Sequence, residues 1–208
     1  MRVTEQEMVF LVSVSRGRKP LGISWEIPKA SEREDYINST MESLQKKGIL
    51  DEEKKLTREG ADILSFFEKY RNSKRHVALD HIYAAVLPKE RLITVVKTED
   101  GYDISCVHAT VLMTALLKHS GYLCMGEEKP ERGRWQNISP EQIQQRAEES
   151  DGGVWVREYT DGRLLEEKFF GWGKEEGYVV NLDNNRIRTL SPAVMRRQIY
   201  KLMKITRD

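Results

Sequence analysis

After residue 75 the sequence switches to short alternating apolar runs broken by turn residues, and this pattern most constrains the fold. "HVALDHIYAAVL", "RLITVVKT" and "GYDISCVH" read as three strands. Pro88-Lys89-Glu90 and Glu99-Asp100-Gly101 join them. A helix follows, with Val111, Leu112, Ala115 and Leu116 as its expected apolar face. Past the polar loop "GEEKPERGRWQN", a short helix opens at "SPEQ", where Ser139 is the N-cap, Pro140 the first turn and Gln142 the partner of a capping box. Then come "GVWVREYT", "RLLEEKFFGW", "EGYVVNL" and "RIRTL", with turns at Asp161-Gly162 and Asp183-Asn184-Asn185. A final helix, "SPAVMRRQIYKLMKI", points Met195, Ile199, Leu202 and Met203 inward.

Strands followed by a helix, twice, imply an α+β fold with antiparallel sheet rather than an alternating parallel one. The body is therefore read as a duplicated strands-then-helix unit, residues 76–120 and 153–205, within one compact region spanning 76–208.

Residues 1–75 have a different texture. A first helix is expected from Thr4 to about Ser15, with Met8, Leu11 and Val12 on one face. "SERE" reads as a capping box in which Ser31 and Glu34 open a second helix. Ile37, Met41 and Leu44 form its apolar face, and Gly48 closes it. "LQKKGILDEEKKLTREGADIL" then crosses a small charged hairpin into a third helix capped by Thr57, with Leu56, Ile63, Leu64 and Phe67 apolar. Helix, Lys-Gly, hairpin, helix is how a winged-helix-like bundle reads.

Such a bundle raises the possibility of DNA binding. The helix before the hairpin starts with Glu32, Glu34 and Asp35 against Arg33 alone, which sets carboxylates where phosphates would approach. Lys46 and Lys47 sit at the other end. The packing role is the stronger reading, and no specific nucleic-acid binding is expected. A formal net charge of +1 across 208 residues gives no global drive toward polyanions.

Catalytic constellations are sparse. Cys106 and His108 are two apart at a strand-to-helix junction, but no third orienting group accompanies them. His76 and His81, at odd spacing on one expected strand, face opposite sides and do not suggest a metal site. "GWGKEEG" has no helix behind it and is no phosphate cradle. Neither enzyme activity nor a cofactor is expected. The apolar run Met8–Val14 is short and follows Glu5 and Glu7, so neither a signal peptide nor membrane insertion is expected, and a cytoplasmic location fits.

Two features suggest binding instead. Phe169, Phe170, Trp172 and Tyr178 cluster around a glycine turn, where they serve either core packing or a partner. Arg186, Arg188, Arg196, Arg197, Lys201, Lys204 and Arg207 form a basic end that is either a solvated helix face or a surface for an acidic partner.

The opening helix "VTEQEMVFL", the turn "LQKKGILDEEKKLT", the strand "GYDIS" leading into "LLKHSGYL", and the duplicated body together resemble the EspG-like chaperones of type VII secretion, with their EsaE-like relatives. The resemblance covers nearly the whole chain. It implies a cytoplasmic chaperone that holds the helical targeting region of a secreted partner, a toxin or a WXG-type helical hairpin. It also implies docking near "KTEDGY", "FFGWG" and the last helix. The expected partner-binding residues are Tyr102, Phe170, Trp172, Tyr178, Arg196 and Arg197. The alternative is a winged-helix transcription regulator with a ligand-sensing body.

Overall fold

The computed structural model describes residues 1–24, 29–126 and 133–204. The fold is α+β, with a large antiparallel sheet and, among the described residues, seven α-helices. The chain forms two compact units, Met1–Ser73 with Thr94–Ser105, and Lys74–Ile93 with Cys106–Asp208.

In the first unit, strand β1 (Arg2–Thr4) leads into helix α1 (Glu5–Val14). Thr4 and Glu7 form a capping box: the Thr4 hydroxyl accepts from the Glu7 amide at 3.2 Å, and the Thr4 amide donates to Glu7 at 2.8 Å. A 3-10 turn, Ala30–Glu32, precedes α2 (Arg33–Lys46). The expected Ser31 cap does not form. Ser31 lies inside the 3-10 turn, and no side chain caps α2. The inward face of α2 carries Thr40 and Leu44, while Ile37 is exposed, so the helix is rotated from the expected Ile37-Met41-Leu44 stripe.

Gly48 adopts φ +71° after α2, the left-handed backbone that ends a helix. A bridge between Leu50 and Leu56 closes the charged hairpin. Asp51 organises it by accepting from the amides of Glu53 and Lys55. Helix α3 (Arg58–Asn72) is capped as expected, with the Thr57 hydroxyl accepting from the Gly60 amide at 3.0 Å. Gly60 packs against the Ile49 carbonyl, where a Cβ would come within 2.1 Å. The tip Thr94–Ser105 belongs with these helices because β1 pairs with strand β5 (Gly101–His108), Val3 opposite Tyr102.

In the second unit "HVALDHIYAAVL" is two strands, β2 (Arg75–Leu79) and β3 (Ile82–Leu87), not one. Asp80, at φ +50°, turns the chain between them, and its carboxylate takes the Trp155 amide at 2.8 Å. His81 therefore sits in a turn rather than across a strand from His76. Strand β4 (Arg91–Thr98) and β5 run through both units. Helices α4 (Ala109–Lys118), α5 (Gly121–Cys124) and α6 (Pro140–Glu148) follow, with strand β6 (Gln136–Asn137) before α6. The Ser139–Gln142 capping box on α6 is present.

Strands β7 (Gly152–Thr160), β8 (Arg163–Trp172), β9 (Gly177–Asn181) and β10 (Arg186–Leu190) complete the sheet, and α7 (Pro192–Leu202) ends the described fold. Within this unit the strand order is β3-β2-β7-β8-β9-β10-β6, all antiparallel. Alternation along β8 sends Phe170 to a core with residues from α4, α5 and α7, and Phe169 to a smaller cluster against α6. Both faces of this part of the sheet are therefore covered by helix.

Candidate partner-binding surface

Burial decides where the expected partner residues lie. Phe170, Trp172 and Tyr178 are core residues of the second unit, and Tyr102 is a core residue of the first. The Trp172 indole lies over Gly152, where a Cβ would come within 2.8 Å of its Nε1. The Tyr178 hydroxyl is held by Ser150 at 2.6 Å and donates to the Arg146 carbonyl at 2.7 Å. Burial pushes that phenol above its ordinary pKa. Tyr102 donates to the Ser24 carbonyl at 2.8 Å. These rings supply packing where they stand.

Arg196 and Arg197 lie instead at the edge of a shallow groove of about 380 Å³ between α4 and α7. Thr110, Met113 and Thr114 of α4 form one wall, and Arg196, Arg197 and Tyr200 of α7 the other. Helix α4 carries no charged residue before Lys118. It buries Ala109, Leu112 and Met113, yet Val111 is 56 % exposed. The expected inward face, Val111-Leu112-Ala115-Leu116, is thus rotated, and Val111 and Ala115 face solvent.

Several contacts fix the groove. Arg196 donates Nη1 to the carbonyls of Leu123 and Met125 at 2.6 and 2.8 Å, tying α7 to the end of α5. Arg197 is exposed, and its Nε donates to the Ala193 carbonyl of its own helix at 3.4 Å. At the far end Glu90 joins α7 to the start of α4. It accepts from Tyr200 at 2.6 Å, pairs with Lys204 at 2.7 Å, and lies 3.8 Å from His108 Nε2. The hydrogen bonds from Lys204 and Tyr200 hold the Glu90 carboxyl below its usual range. His108 caps α4, its Nδ1 accepting from the Thr110 amide at 3.3 Å.

Cys106 and His108 do share an exposed face of β5, with Arg91 Nη2 3.0 Å from the Cys106 sulfur, but His108 is turned to the helix cap. Met113, Tyr200 and Glu90 were not singled out by the sequence. The uncharged stretch Ala109–Leu117 was the available signal for the first of them.

The family described as "Domain of unknown function (DUF5081)" matches residues 3–153. The chain belongs to the DUF5081 family. No curated protein matches the sequence. The DUF5081 match runs from β1 to the start of β7, so it includes the α4 wall of the groove, while the α7 wall follows it in sequence.

This DUF5081 chain has a second apolar groove, about 480 Å³, where Ile143 and Ala147 of α6 face Trp155 and Leu182. It carries Glu148 and no cation among its described lining. Among the described residues no three His, Cys, Asp or Glu side chains come together as a metal site, and no helix is long and apolar enough to cross a membrane.

Proposed function

We propose that this DUF5081 protein is a cytoplasmic chaperone of type VII secretion that takes an amphipathic helix of its secreted partner, a toxin or WXG-type hairpin, in the α4–α7 groove. The observation that carries the reading is the groove itself, in which an uncharged α4 wall of Thr110, Met113 and Thr114 faces the cationic Arg196 and Arg197 of α7. A partner helix with an apolar stripe and flanking carboxylates is the complementary shape and charge. The groove adjoins the last helix, the side implied by the EspG-like resemblance.

The finer architecture supports the same reading. We read β2–β5 followed by α4, and β7–β10 followed by α7, as two strands-then-helix units, with α4 and α7 lining the groove. We read the N-terminal α2, bridged hairpin and α3 as a winged-helix-like bundle. Glu34 and Asp35 in the first turn of α2 favour a packing role for that bundle over contact with DNA.

The test is calorimetric titration with a purified WXG-type helical hairpin protein of a type VII secretion system. Thr114→Glu is expected to weaken binding by about 1 to 3 kcal/mol, the range of an interface anchor. Its melting temperature should hold, because Thr114 is exposed. Arg197→Glu should slow association and reduce its salt dependence. Wild-type affinity in Thr114→Glu would sink the assignment of this groove.

A further inference from the structure

Helix α6 and the β7–β8 hairpin make a ridge and a ledge on one face of the second unit. Alternation along β7 puts Trp155, Arg157 and Tyr159 on the α6 side of the sheet, and α6 packs over Phe169, towards the Trp172 end of β8. At the hairpin end the β7–β8 ladder carries a bulge. Glu158 lies opposite Glu166, yet Tyr159 lies opposite Leu164, so Leu165 is the extra residue. Directly opposed residues share a face, which sets Leu164 beside Tyr159, and alternation from Glu167 sends Leu165 to the same side. These leucines are 51 % and 63 % exposed. Two adjacent leucines beside a half-buried tyrosine form a patch, unlike apolar residues scattered singly.

The apolar groove of about 480 Å³ opens on the ridge side of the same face, where Ile143 and Ala147 meet Trp155 and Leu182. Trp155 and Tyr159 are four residues apart, about 13 Å along the strand. The leucines therefore do not fill the groove of their own chain. That spacing matches the width of a helix with its side chains, about 10 to 12 Å. Midway, Arg157 Nε lies 2.6 Å from Glu167, a pair that leaves no net charge on the ledge. The two ends differ in sign. Exposed Lys74 and Arg163 outweigh Asp161 at the hairpin end, where the Lys74 carbonyl accepts from the Asp161 amide at 2.7 Å. The described groove lining carries Glu148 and no cation.

We propose that this face joins two copies of the chain in a twofold-symmetric dimer. The axis lies in the plane of the interface and crosses the strands near Arg157 and Glu167. It sets Leu164 and Leu165 of each copy in the α6 groove of the other, cationic end against acidic end. Such an interface closes on itself, because each surface contributes one projection and one groove. The α4–α7 groove lies on the opposite face of the sheet, so the dimer does not depend on the chaperone reading.

The experiment is sedimentation equilibrium of the full chain between about 1 and 100 μM, where a species of twice the chain mass is expected to grow with concentration. Leu165→Asp should weaken association by about tenfold or more. Val111→Asp, at a comparably exposed site on α4, should leave it within about twofold. A second readout fixes the pairing. With Cys106 and Cys124 replaced by serine, Leu165→Cys combined with Gln144→Cys in the groove lining should give a disulfide-linked dimer on oxidation, and either one alone should not. A monomer at every concentration overturns the proposal, as does a dimer that Leu165→Asp leaves intact. Leu165→Cys alone linking as fully as the pair overturns the seating of the leucines in the groove.

Discussion

In the first unit, α1 is fastened to α2 through a buried carboxylate. In the second, α7 is fastened to the sheet through Met195, Ile199 and Met203, which pack with Phe170, Val154 and Val179. The Glu7 side chain is fully buried and accepts from the Thr4 amide, the Ser43 hydroxyl at 2.7 Å and the Lys47 ammonium at 2.6 Å. Arg71 of α3 likewise spreads its guanidinium over the carbonyls of Val12, Ser15, Gly17 and Arg18 at 2.7 to 3.0 Å. The first unit thus specifies geometry with directional bonds to buried charges, and the second gains stability from area removed from water. Polar networks of the first kind fix one arrangement but fail when any member is lost. Apolar cores of the second kind are insensitive to pH.

The contrast can be broken by mutation. The largest effect is expected in the apolar core, where Phe170→Ala should cost about 3 to 5 kcal/mol in denaturant unfolding, with the same loss at pH 5 and pH 8. Next comes Arg71→Ala, expected to cost about 2 to 3 kcal/mol because several carbonyls lose their shared donor. Arg71→Lys should recover little of it, since one ammonium cannot span the four carbonyls. If the lysine variant restores full stability, the guanidinium geometry is not what holds α1 and its following loop.

A smaller effect sharpens the comparison through pH. Burial by itself would raise the Glu7 pKa, but the bonds from Lys47, Thr4 and Ser43 outweigh it and leave the carboxyl below its ordinary value of 4.5. A depressed folded-state pKa contributes stability that is present above the unfolded-state value and lost as pH falls through the folded-state value. The first unit should therefore loosen below about pH 4.5, and Glu7→Gln should remove that acid dependence while costing about 1 to 3 kcal/mol at neutral pH. Hydrogen exchange of α1 amides between pH 3.5 and 6 measures both. An unchanged acid profile in Glu7→Gln would assign the sensitivity elsewhere.

Much of this architecture could be read from the sequence because it is local. The Thr57 and Ser139 caps, the Gly48 helix end, the Asp161-Gly162 turn and the four strands from β7 to β10 each depend on bonds or backbone angles within a few residues. The same locality explains the basic rim of the candidate groove: Arg196 and Arg197 were visible as a charged pair on a helix. What each charge does was not visible, since Arg196 finds its carbonyls more than seventy residues away at Leu123 and Met125.

The sequence by itself determined most of the helices and strands, and that the fold is α+β with antiparallel sheet. It did not determine the Asp80 turn between β2 and β3 or the short β1, α5 and β6. Only the tertiary structure decided which way several of them face. Alternation on β8 guarantees that Phe169 and Phe170 point to opposite sides, but whether either side is open to a partner depends on α6 and α7 arriving to cover them. Periodicity on α4 allows two adjacent apolar stripes, and the choice of Met113 over Val111 as the buried one is made by the neighbouring helices and sheet. Glu7 reads as an ordinary exposed first-turn carboxylate until α2 brings Ser43 and Lys47 to it. In each case the deciding contact lies far along the chain, and hydrophobic burial is non-directional, so a local pattern sets what can be buried while the packing partner sets what is.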